Sequence, residues 1–184
     1  RLGSGAYSWI GTVMNCTFED CFNSGFNTHH AGCEDVLITG NRVTRGGYGI
    51  VVGGSTSTTA VDRNIVISNN ILQGTQTDGI NCATDPGIGT ADALVISGNV
   101  IEDCGRDGVS RAGILVARYD DVIISNNRIN GKLNTFLRYG IQLVTGGGGA
   151  VTGNRVEDLN GAAGTNGGIF WTSCTVLKVQ GNSI

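Results

Sequence analysis

"VLITGNRV", residues 36–43, has the alternation of a short strand running into a turn, and by itself it would suit many folds. The same eight-residue phrase returns as "IVISNNIL" from Ile65, "LVISGNVI" from Leu94 and "VIISNNRI" from Val122. Aligned on the asparagine near its end, the phrase marks Asn41, Asn70, Asn99, Asn127, Asn154 and Asn182, with Cys16 in the equivalent place of "VMNCTF". The steps between these positions are 25, 29, 29, 28, 27 and 28 residues. A period held that closely marks a solenoid, in which each repeat is one unit stacked on its neighbours. A β-sandwich offers no reason for it.

Inside each repeat the apolar residues alternate as strands require. Three positions before the asparagine stand Val13, Ile38, Ile67, Ile96, Ile124, Val151 and Val179; two after it stand Phe18, Val43, Leu72, Ile101, Ile129, Val156 and Ile184. A further short strand opens on glycine at Gly25, Gly49, Gly79, Gly113, Gly140 and Gly168. Short strands, Gly/Asn turns and no helical period describe an all-β, single-stranded parallel β-helix of about six to seven coils, with about 28 residues to the coil. Its coils should stack at about 4.8 Å. Asparagine at one corner can run a ladder of side-chain hydrogen bonds from coil to coil, and it also tolerates a left-handed turn.

The pattern V-x-I-S-G-N-x-I followed by G-I-x-V covers nearly the whole chain. It resembles the right-handed parallel β-helix superfamily of pectate lyases, polygalacturonases, alginate epimerases and bacteriophage tailspikes. That resemblance rests on scaffold residues and implies the fold far more than an activity. The catalytic signatures of the galacturonases and epimerases are not intact; Asp85-Pro86, for example, is followed by glycine rather than by the histidine of an epimerase motif.

Composition narrows the classes. Thirty-one glycines with a single proline work against long helices, and a net charge of −3 with scattered basic residues argues against a nucleic-acid surface. No apolar run reaches the length of a membrane span, and no signal peptide is visible. The chain begins at Arg1 and both ends cut through a repeat, so residues 1–184 read as one β-helix domain from a longer chain. The six cysteines match no zinc pattern. Cys21 and Cys104 share one column and Cys33 and Cys174 another, but both pairs lie several coils apart, too far to bridge. They read mainly as small buried thiols, with no evidence for an oxidising compartment.

Three departures from uniformity point toward function. Leu37, Val66, Val95 and Ile123 form an apolar column where a solvated solenoid should be polar, with Ala150 continuing it. Covering segments of the same chain, or the sister chains of a homotrimer, would hide it. Loops lengthen after Gly49 and Gly79 on one edge and before Gly113, Gly140 and Gly168 on the other, walling a groove suited to a polymer.

The third departure is polar. Asp78, Asp107, Arg111, Arg138 and Tyr139 gather just before the glycine-led strands of adjacent coils. Two carboxylates could act as acid and base in glycoside hydrolysis, or Arg and Tyr could eliminate across a uronic acid. Asn27, Asn81, Gln142, Phe170 and Trp171 would serve sugar hydroxyls and ring faces. An alternative catalytic cluster is His30 with Asp85 and Arg118. The expectation is a carbohydrate-active β-helix, a tailspike-like depolymerase of bacterial surface polysaccharide, outside the cell or on a virion. A non-catalytic shaft of a trimeric fibre or adhesin is the alternative. The reading calls for a polysaccharide partner and no metal or cofactor, leaving room for a calcium ion.

Overall fold

The computed structural model describes residues 9–28, 33–53, 62–84, 91–107, 109, 111–131, 137–159 and 167–184. Among them the regular elements are seventeen strands and no helix. In chain order the first coils contain β1 (Trp9–Met14), β2 (Thr17–Glu19), β3 (Ser24–Asn27), β4 (Cys33–Thr39), β5 (Arg42–Thr44) and β6 (Tyr48–Gly53). The middle coils contain β7 (Arg63–Ser68), β8 (Ile71–Gln73), β9 (Ile80–Ala83), β10 (Ala91–Ser97), β11 (Val100–Glu102) and β12 (Arg111–Ala117). The last ones contain β13 (Tyr119–Ser125), β14 (Arg128–Asn130), β15 (Leu137–Thr152), β16 (Arg155–Glu157) and β17 (Gly167–Gln180).

All strand pairs are parallel and link each coil to the next, giving the parallel β-solenoid that the repeat predicts. Three faces result. Face A holds the strand before each corner asparagine (β1, β4, β7, β10, β13 and the ends of β15 and β17). Face B is the six-stranded sheet β2-β5-β8-β11-β14-β16. Face C holds the glycine-led strands β3, β6, β9, β12 and the beginnings of β15 and β17. In the last coils one strand wraps the C–A edge without a break, which joins faces A and C in a single sheet.

The core is the stack of inward columns. Ile38, Ile67, Ile96, Ile124 and Val151 come from face A, Val43, Leu72, Ile101, Ile129 and Val156 from face B, and Ile50, Ile80, Ile114 and Ile141 from face C; all are buried. The glycine that opens each C strand is explained by this core. A Cβ on Gly79 would stand 2.6 Å from Ile101 Cγ2, and one on Gly113 would stand 2.5 Å from Ile129 Cγ2. Face B's aliphatic column leaves no room there for a side chain.

The corner asparagines form the expected ladder. Asn41 Nδ2 donates to Asn70 Oδ1 (3.0 Å), Asn70 to Asn99 (3.0 Å), Asn99 to Asn127 (2.9 Å), Asn127 to Asn154 (2.9 Å) and Asn154 to Asn182 (3.0 Å). Each Oδ1 also takes the backbone N–H of the preceding rung, and Cys16 N–H donates to Asn41 Oδ1 as its place in the repeat requires. The turn itself differs from expectation. The left-handed residue is the one before the ladder asparagine, namely Asn15, Gly40, Asn69, Gly98, Asn126, Gly153 and Gly181. Ladder and turn are therefore separate jobs on neighbouring residues, which accounts for the paired "GN" and "NN" in the phrase.

The outward apolar column is real. Leu37, Val66, Val95, Ile123 and Ala150 are in direct register, half-buried along most of their length, and Ile123 is 46% exposed. Beside it runs a hydroxyl column of Thr39, Ser68, Ser97, Ser125 and Thr152. No described helix is long and apolar enough to cross a membrane.

Candidate functional site

Face C separates its inward aliphatics from an outward column in register: Asn27, Val51, Asn81, Leu115, Gln142 and Phe170. Both edges of this face are where the chain carries its extra residues. The added segments at 54–61, 85–90, 132–136 and 160–166, and with them the walls of the expected groove, lie outside the described residues.

Three of the sequence candidates come together at the B–C edge of β9 and β12. Asp107 accepts hydrogen bonds from Arg111 Nε (3.0 Å) and Nη2, and its other oxygen accepts the Val109 N–H at 3.2 Å. Asp78 is buried, a correction to its expected place on the open face. Its Oδ1 accepts the Ala112 N–H and its Oδ2 the Asn81 amide, both at 2.9 Å. The β9–β12 ladder begins at Ile80 and Ile114, so the Ala112 N–H lies beyond its start, and Asp78 supplies the acceptor.

The two carboxylates are driven apart. Burial pushes Asp78 above the ordinary carboxylate range, only partly offset by its hydrogen bonds and the Arg111 charge. Partial burial acts the same way on Asp107, but there the Arg111 guanidinium and the Val109 N–H outweigh it and hold the group low. Carboxylates shifted in opposite directions are the arrangement from which acid–base pairs are made.

One coil further on, Tyr139 stands in register with Ala112. Arg138 lies over its ring at 5.1 Å from the centroid, and the ring stacks on Phe170 with centroids 4.9 Å apart. Phe170 is 38% exposed, so an aromatic platform with a cation above it sits on face C. Gln142 and Asn81 are half-buried in the same outward column.

Trp171 is a second correction. Phe170 pairs with outward Gln142 and Trp171 with buried Leu143, so alternation puts Trp171 in the inward column of Val52, Cys82, Val116 and Leu143. Its 49% exposure reflects its place on the last coil rather than an outward direction. The alternative cluster is not assembled among the described residues: His30 and Asp85 lie outside them. Arg118 is a left-handed turn residue whose Nη1 donates to the Thr84 carbonyl at 3.2 Å.

Two groupings escaped the sequence. Asp62 is buried at the C–A edge, where its Oδ1 accepts the Cys33 N–H (2.8 Å) and its Oδ2 the Tyr119 hydroxyl (3.2 Å). Cys33, Asp62, Ala91 and Tyr119 occupy one column, eight before the corner asparagine, and the small Ala91 lets Tyr119 reach across. The column position was legible; the reach across a coil was not. The other grouping is a depression lined by Arg45, Gly74, Gln76, Arg106 and Asp107. All six cysteines are free.

A family model described as "Periplasmic copper-binding protein (NosD)" matches residues 3–184. No curated protein and no solved structure matches the chain. The chain belongs to the NosD family, a right-handed parallel β-helix family.

Proposed function

We propose that this NosD-family β-helix works outside the cytoplasm and binds a polysaccharide along face C. The observation that carries the reading is the platform of Tyr139 and Phe170, with Arg138 above it and the amides of Gln142 and Asn81 in the adjoining coils. Ring faces take the apolar C–H faces of sugars, amides take hydroxyls, and a rigid sheet presents both at fixed spacing. The family's periplasmic description favours a cell-envelope setting over a virion. Free cysteines tolerate such a setting when they are inert. Burial pushes the Cys33 and Cys104 thiols up to about 12, far from the reactive thiolate.

A second reading, cleavage of the bound chain, is favoured by the opposite shifts of Asp78, raised by burial, and Asp107, held low by Arg111. In it Asp78 holds the proton and Asp107 stays ionised against Arg111. The buried position of Asp78 makes binding the primary reading, because both its oxygens are already occupied as acceptors, from the Ala112 N–H and the Asn81 amide.

Copper has to be weighed because the family description names it. A copper site draws on imidazole, thiolate or thioether donors. Among the described residues no three His, Cys, Asp or Glu side chains are grouped so as to hold a metal ion, and His29 and His30 lie outside those residues. The described residues do not fit a copper centre.

Affinity electrophoresis through gels cast with a polysaccharide panel tests the binding reading. The wild type should be retarded by at least one polymer, and Tyr139→Ala with Phe170→Ala should run freely. Equal retardation of both proteins, or of neither across the panel, would defeat it. New reducing ends or unsaturated-uronate absorbance in the same incubations would establish cleavage.

A further inference from the structure

The position four past the corner asparagine turns the chain from face B to face C. It is left-handed in Asp20, Arg45, Gly74, Asp103 and Asp158. Four of these coils place a charged side chain there; the coil of Gly74 places none. A Cβ built on Gly74 would meet nothing closer than Arg106 Nη1 at 3.6 Å and Arg45 Cγ at 3.7 Å. At the missing side chain lies a depression of about 520 Å³, bordered by Arg106 Nη1 from one adjoining coil and by the Arg45 side-chain stem from the other.

The floor is rigid. Gln76 N–H donates to Gly46 O (2.9 Å) and Thr77 N–H to Gly47 O (2.8 Å), while Asp107 N–H donates to Gln76 O (2.9 Å) and Gly105 N–H to Thr77 O (2.8 Å). Arg45 and Arg106 are therefore carried on turns locked to their neighbours, their backbones about two coil spacings or ~10 Å apart. Asp20 grips Arg45 from behind through Nε (2.8 Å) and Nη2 (3.0 Å), which leaves Nη1 for another acceptor. The nearest carboxylate to Arg106 is Asp103 at 3.9 Å, beyond hydrogen-bond distance.

We infer that this depression is a subsite for one carboxylate-bearing sugar of an acidic polysaccharide, held between Arg45 and Arg106 over Gly74. The planar two-oxygen carboxylate matches the guanidinium fork. Asp20, Asp103 and Asp107 nearby temper the positive charge, which suits a single negative charge better than a dianion such as phosphate. Gln76, which lines the depression, is placed for ring hydroxyls. Asp107 also borders face C through its pair with Arg111, so the subsite continues the binding surface proposed above and rests on that reading.

Calorimetric titration with uronate oligosaccharides, each paired with its own methyl ester, separates the two claims. Gly74→Asp is the informative variant, because the next coil already holds Asp103 in this left-handed backbone conformation. Arg106→Gln is its companion. The free acid should bind wild type about tenfold tighter than the ester. Gly74→Asp should erase that difference, and Arg106→Gln should reduce it. Equal binding of acid and ester, or a difference that survives Gly74→Asp, overturns the subsite and leaves glycan binding standing. Failure of every acid and every ester to bind overturns both.

Discussion

The A–B corner and the B–C corner turn the same chain through the same solenoid, yet they are built on opposite terms. At the first, six successive coils supply one residue type, and the amides close on one another from Asn41 to Asn182. At the second, only the inner side is uniform, a glycine packed on face B, while the outer side changes from coil to coil: Asp20, Arg45, Gly74, Asp103, Gly131 and Asp158. Stacking demands sameness, because a side chain that bonds to its own copy one coil away fails if either copy changes. Where identity drifts along a repeat, the residues answer to something other than the stack. The difference separates scaffold from binding surface within a single chain.

The largest effect should come from breaking the uniform corner. Asn99→Ala strips the acceptor from the Asn70 N–H and side-chain amide and leaves the buried Ile67 carbonyl short of a donor. A loss of about 3 kcal/mol in urea unfolding is expected from several unsatisfied buried groups. Next comes the inner side of the other corner. Gly79→Ala forces a methyl to within 2.6 Å of Ile101 Cγ2 and 2.8 Å of the Gly113 carbonyl, and overpacking of that kind costs about 2 kcal/mol.

A smaller, pH-dependent effect belongs to Asp62 at the third corner. Burial raises its folded pKa, against the pull of the bonds from Cys33 and Tyr119. Folding then favours the protonated form, so this contribution is complete below the ordinary aspartate value of 3.8 and is lost as pH rises through the raised folded value. Asp62→Asn should flatten the fall in stability across that window, read by urea midpoints at stepped pH. An unchanged slope would mean that Asp62 titrates normally. The smallest effect on stability should be that of Gly74→Asp, on the open side of the B–C corner, where thermal melting should barely move. A large drop there would erase the contrast between the two corners.

The fold was legible because it depends on periodicity, and seven positions at near-constant spacing leave little else to build. The site was legible only in part. Asp107, Arg111 and Tyr139 fell where counting from the glycine puts them. Asp78 did not, because it accepts a backbone donor at Ala112, beyond the start of the β9–β12 ladder, that no residue pattern announces. Trp171 was within reach of simple alternation from Ile169, and its size was a poor guide to its direction. Gly74 carries no signal of its own. It becomes informative only once Arg45 and Arg106 are known to lean over it from adjoining coils.

Hydrogen–deuterium exchange with and without a retarding polysaccharide tests most directly that face C and its B–C edge form the binding surface. Bound glycan should slow exchange in the turn segments 74–78 and 103–111 and leave the A–B corner at 39–41, 68–70 and 97–99 unchanged. Slowing confined to the A–B corner or to face A, with the B–C turns unaffected, would contradict the account.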